Sequence, residues 1–195
     1  MATQYKNSRI DIRKFTYIAI LTALVVVLQV VGMVTGALTG LSINLSLVPI
    51  VVGGALCGRR AGTWLGCVSG FVVLFDPSTA GFLSFSFVGT VLICLLKGAL
   101  SGFVAACAFK AINARKGNTL AATVVAGFLA PIVNTSVFIL GCVTVFYGYV
   151  KSGTFGETFI GLLGLFIAIN FIVEIVSSAL LSPAVVRIIK TQKNK

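Results

Sequence analysis

Two ionisable side chains, Lys97 and Glu174, sit inside long apolar stretches of this chain, and there chemistry could reside. Asn170 lies one helical turn before Glu174, so a helix presents both on one side. Counted at about 1.5 Å per residue from the outer ends of their stretches, Lys97 and Glu174 both come about 20 Å deep. A charge at that depth costs several kcal/mol unless it is paired or faces a water-lined cavity. Two arrangements meet that demand. Either Lys97 and Glu174 pair and tie two helices together, or one or both help to hold a polar solute. The two are compatible, because a solute can compete for one partner. Asn44, Asn134, Thr135 and Ser136 are further polar side chains in or near the apolar stretches. Each is either an interhelical hydrogen bond, worth typically about 0.6 kcal/mol in a membrane, or part of a site. Asn134 and Asn170, together with Phe82, Phe85, Tyr147 and Tyr149, compose a mostly apolar pocket with a few fixed polar groups. Small-molecule sites have that make-up.

The elements that must position these residues are membrane helices. Of 195 residues, 58% are hydrophobic and only 10% charged, whereas in soluble domains roughly a quarter are charged. Hydropathy predicts a single all-α membrane domain of six transmembrane helices, over residues 15–36, 42–58, 61–75, 83–109, 119–147 and 159–187. The net charge of +11 is gathered into short segments between them: the N-terminus, the Arg59–Arg60 turn, Lys110 to Lys116 and the tail. That is the pattern of cytoplasmic loops rather than of a nucleic-acid surface, and it places both termini inside. The segment before residue 15 reads as the inner flank of a first membrane helix, not as a cleavable signal. Pro49 predicts a kink in the second span. Gly62, Gly66 and Gly70, at steps of four, predict a glycine groove facing a neighbouring helix. Ala19 and Ala23 form a smaller groove of the same kind in the first span, open either to internal packing or to another helix. Trp64 reads as an interfacial anchor.

Several classes of function lose support. The chain has no histidine, so the commonest metal ligand and general base is missing. It has no GxxxxGK[ST] phosphate loop and no HExxH, so neither ATP hydrolysis by that route nor zinc hydrolysis is indicated. The five cysteines lie in or beside apolar spans without a CxxC pair, as small buried hydrophobes do. No internal repeat supports an inverted-repeat secondary transporter. No cofactor and no metal are expected. Three readings remain: a cargo-binding subunit, an assembly protein whose polar residues only tie helices, and a small membrane enzyme, the last short of catalytic groups.

The chain resembles the S component, the substrate-binding subunit, of energy-coupling factor (ECF) type vitamin transporters. The resemblance covers nearly the whole chain. It rests on the size, on six spans with both ends inside, and on Ala19-Ile20-Leu21-Thr22-Ala23 in the first span. It also rests on LVPIVVGGALCGRRAGTWLGCVSG in the second and third, LLKGALSGFVAA in the fourth, PIVNT in the fifth, and Asn170 and Glu174 before Pro183 in the sixth. The resemblance implies a micronutrient pocket open to the outside of a bacterial plasma membrane. It implies a transmembrane scaffold subunit and two ATPase subunits as partners, and a subunit that topples in the membrane to release its cargo. Carried over to this chain, Ala19 and Ala23 would dock on the scaffold. Residues 36–44 and 76–81 would cover the pocket, and Asn134, Asn170, Lys97 and Glu174 would line it. Gly58-Arg59-Arg60-Ala61-Gly62 stands where relatives often carry a Gly-Pro pair. The nickel and cobalt members use an N-terminal histidine, so a metal cargo is not expected here. Lys97 or Lys151 suits an acidic vitamin such as pantothenate, whereas the phenylalanines suit a stacked flavin such as riboflavin. The balance leans to pantothenate.

Overall fold

The computed structural model describes residues 2–39, 44–116 and 118–146, with residues 171–173, 175–176 and 186–187 of the C-terminal segment. The described secondary structure is helical. Helix α1 spans Ala2–Thr39, α2 Leu47–Cys57 and α3 Arg59–Val73. A 3-10 turn, Pro77–Thr79, leads into α4, Ala80–Phe85, followed by α5, Phe87–Lys116, and α6, Thr119–Thr144. Among the described residues, three stretches are long and apolar enough to cross a membrane: Lys14–Leu38, Phe87–Arg115 and Thr119–Thr144. A fourth is obtained if α3 and the segment Pro77–Phe85, bent by 76°, are taken as one broken span. The lipid-facing character is plain on α1, where Phe15, Ile20 and Val27 are exposed although apolar. Most of the sixth expected span lies outside the described residues.

Several boundaries differ from the hydropathy reading, each for a local reason. The second helix is only eleven residues long and starts at Leu47 rather than at residue 42. Pro49 therefore falls in its first turn, where no intrahelical N–H is required and its ring costs the helix no hydrogen bond. The helix ends at Gly58, whose φ of 91° suits a residue without a Cβ. Gly58 N–H donates to the Gly54 carbonyl at 3.1 Å, and its own carbonyl accepts from Ala61 and Gly62. One residue thus closes α2 and opens α3. The expected fourth span, 83–109, is interrupted by extended backbone at Ser86, which separates α4 from α5. At its other end α5 runs on through Lys110 and Arg115, so those basic residues ride on a helix rather than a loop. Asn118 caps α6, its Oδ1 accepting from the Leu120 and Ala121 amides.

The groove predicted on α3 is a seam against α5. Gly62, Gly66 and Gly70 face Gly102, Gly98 and Cys94 respectively. A Cβ on Gly66 would overlap the Gly98 carbonyl, and one on Gly98 the Gly66 carbonyl. The backbones touch, as packing inside a membrane favours. Beside the seam, Val25, Leu47, Ile50, Leu65, Ala105, Ala122 and Ala126 form the buried core. Ser101 donates from α5 to the Ala130 carbonyl of α6 at 2.8 Å, within the buried interior. That carbonyl sits next to Pro131, where the ladder of α6 lacks a donor.

Candidate functional site

The seam fixes the relative height of α3 and α5. Gly66 meets Gly98 and Gly70 meets Cys94. Ser69 of α3 and Lys97 of α5 therefore lie within about one helical turn of each other along the bundle. Each is the centre of a polar or charged cluster at that level.

Lys97 points at α6. Its Nζ stands 5.1 Å from the centroid of the Phe138 ring. A cation over an aromatic face is stabilised by roughly 0.5–2 kcal/mol. Phe138 packs edge-on to Phe82 of α4, with centroids 5.9 Å apart. Phe82 packs in turn on Phe146, at 5.0 Å, and Phe85 lies 6.5 Å from Phe146. Phe146 is fully buried. Asn134 is four residues before Phe138 on α6 and so shares its face. Phe82, Phe85, Lys97 and Asn134, singled out by sequence, thus converge on one wall between α4, α5 and α6. Asp76 is the one acid with a described side chain, and it is engaged elsewhere. Its Oδ1 accepts from the Ser78 amide at 2.9 Å and from the Ser78 hydroxyl at 2.7 Å.

The second cluster joins α1, the start of α2 and α3. Ser46 Oγ lies 2.7 Å from Gln29 Oε1, 2.7 Å from Asn44 Oδ1 and 2.9 Å from Ser69 Oγ. Ser69 Oγ lies 2.9 Å from Gln29 Oε1. Gln29 is 7% exposed, Ser69 4% and Ser46 not at all. The Gln29–Ser46 contact has a geometric consequence. Gln29 is ten residues before the end of α1 at Thr39, so α2 begins about 15 Å below that end.

A family model for the ECF transporter, substrate-specific component, matches residues 13–186. The chain belongs to that family. It is membrane-embedded, and as an S component it is a subunit that binds a small-molecule substrate and pairs with scaffold and ATPase subunits; S components are transport subunits rather than enzymes. Neither a curated relative nor a solved structure gives a significant match.

The S component's remaining expected site residues divide as follows. Asn44 belongs to the α1–α2–α3 cluster, its Oδ1 lying 2.7 Å from Ser46 Oγ. Tyr147, Asn170 and Glu174 lie outside the described residues, and so does the pairing of Glu174 with Lys97. Ala19 and Ala23 are exposed on α1. A groove of about 490 Å³ runs along α3 from its N-terminus, lined by Arg59, Arg60, Thr63, Trp64 and Cys67 with Phe103 of α5. Five contributors were missed by the sequence reading: Gln29, Ser46, Ser69, Phe138 and Phe146. Gln29 carried a usable signal, as a long polar side chain alone in the run VVVLQVVG. The serines and phenylalanines carried none, because such residues are common throughout the chain.

Proposed function

We propose that this S component captures pantothenate from outside the bacterial plasma membrane, for uptake driven by a scaffold subunit and two ATPases. The observation that carries this reading is the Lys97 ammonium held over the Phe138 ring. A cation set over an aromatic floor suits a ligand carboxylate. The deep start of α2 supports the same reading. With both termini inside, the space above Ser46 is on the outer side, where cargo must enter. Asn134 adds an amide on the Lys97 side, and Asn170 and Glu174 are assigned to the same pocket. The bundle would span the membrane six times, with both ends cytoplasmic.

Riboflavin was the rival cargo, on the strength of the phenylalanines. The ring geometry weighs against it. Phe82, Phe138 and Phe146 pack edge to face, with planes 68–74° apart. Their faces are turned to one another's edges instead of offering a flat slot for a flavin. A panel of water-soluble vitamins tested by thermal shift and titration separates the cargoes. Pantothenate should raise the melting temperature in proportion to the logarithm of its concentration, by mass action. A shift with riboflavin and none with pantothenate would reverse the assignment. Silence with every vitamin would favour an assembly protein.

Docking on the scaffold is assigned to Ala19 and Ala23. Leucines at both positions are expected to abolish uptake in cells while leaving the Kd for pantothenate within about twofold, because an exposed face of α1 is filled and the pocket is untouched. Uptake and binding falling together would instead make this face internal packing.

A further inference from the structure

We infer that Gln29 reads a hydroxyl or amide N–H of the cargo through its side-chain carbonyl. The inference rests on the cargo-binding role above. The Gln29, Asn44, Ser46 and Ser69 cluster contains four close polar contacts, all between 2.7 and 2.9 Å. With Gln29 Oε1 turned towards the serines, the two hydroxyls supply two hydrogens for those four contacts. Even an Asn44 amide group turned to donate would raise the number filled only to three.

A half-turn of the Gln29 amide about Cγ–Cδ exchanges its oxygen and nitrogen without changing the space it fills. Nε2 then donates one hydrogen to Ser46 Oγ and one to Ser69 Oγ. Ser46 donates to Asn44 Oδ1, and Ser69 donates to Ser46. All four contacts hold a hydrogen, and no oxygen exceeds its two lone pairs. A buried cluster adopts the arrangement that leaves the fewest groups unfilled, because each orphan costs on the order of 1–3 kcal/mol in such surroundings.

That solution settles the serine side and leaves the other end of the same amide without a protein partner among the described residues. The backbone N–H groups of α1 and α3 around it are spent in their own helices. A carbonyl oxygen on a residue 93% buried would then lack a donor, and native structures rarely tolerate that without a ligand or water. The level of Gln29, tied to Ser69 and hence to Lys97, places this oxygen at the depth assigned to the cargo. Pantothenate carries hydroxyls and an amide N–H at the end remote from its carboxylate. The two clusters would therefore recognise the two ends of one molecule: Lys97 the acid, Gln29 a donor.

The test is titration of wild-type protein and Gln29→Met with pantothenate and with analogues lacking one hydroxyl. Wild-type protein should prefer pantothenate to one of the analogues by roughly tenfold to a hundredfold. Gln29→Met should lose that preference, binding the two alike. A purely structural Gln29 would lower affinity for every analogue by the same factor, and that outcome overturns the inference. Ser69→Ala, a milder change that releases one of the two anchors of the amide, should erode the same preference part of the way. It serves as the readout if the methionine variant does not fold. Riboflavin binding without pantothenate binding would defeat the cargo assignment only. The comparison would then run between riboflavin and lumiflavin, which lacks the hydroxylated chain, and equal loss on both would defeat Gln29. No binding of any vitamin overturns both.

Discussion

Lys97→Met is expected to weaken pantothenate binding by about a hundredfold, close to 2.7 kcal/mol. The methionine is one atom shorter, keeps an unbranched apolar chain and removes the charge. What is lost is a charge-assisted hydrogen bond made in surroundings poor in water, roughly twice as strong as a neutral one. A carboxylate left buried without its cation also bears much of its desolvation cost. The neutral alcohol analogue, panthenol, supplies the control. It should bind the wild-type protein far more weakly than pantothenate does and should be nearly indifferent to the substitution. Calorimetric titration of both ligands against both proteins measures the coupling directly. Equal losses for acid and alcohol would mean that Lys97 supports the aromatic wall and does not meet the cargo.

The second large effect is on the fold. Gly66→Ala should lower the stability of the purified protein by about 3 kcal/mol or more, towards the upper end of overpacking penalties. The added methyl meets the carbonyl of Gly98. Both sides of that contact are main chain, so no rotamer change can relieve it. The helices must separate, and every close contact from Gly62 to Gly70 loosens together. Inside a membrane this attraction is chiefly van der Waals contact, which falls away steeply with distance. Thermal unfolding in detergent, with size-exclusion profiles, checks the result. A melting temperature unchanged to within about 2 °C would show that the seam can open at little cost, against the arithmetic of overpacking.

The features visible in the sequence are those that repeat or run long. The glycine steps in α3 announced a close approach, and the seam with α5 is that approach. The apolar runs around Val25 and Ala126 marked α1 and α6. Hydropathy misplaced the start of α2, because the apolar residues before Leu47 resemble those inside a helix. It also ran across Ser86, a break set by one residue's backbone rather than by composition. The candidate site was partly legible. A lysine in an apolar stretch is conspicuous whatever its surroundings, and Phe82, Phe85 and Asn134 were drawn to the same wall. Gln29 and Ser69 are forty residues apart, and their meeting depends on the register of α1 against α3. No periodicity within either segment encodes that register.

The α3–α5 seam also bears on how such a protein could move. A contact made of main chain holds no side chains to repack, so it offers no second arrangement at intermediate offsets. Sliding one helix along the other would drive carbonyls into the Cβ atoms that flank each glycine. The two helices should travel as one beam. Any reorientation in the bilayer would then carry Lys97 and Ser69 with it unaltered, and letting go of a bound molecule would fall to the boundaries formed by α1, α4 and α6.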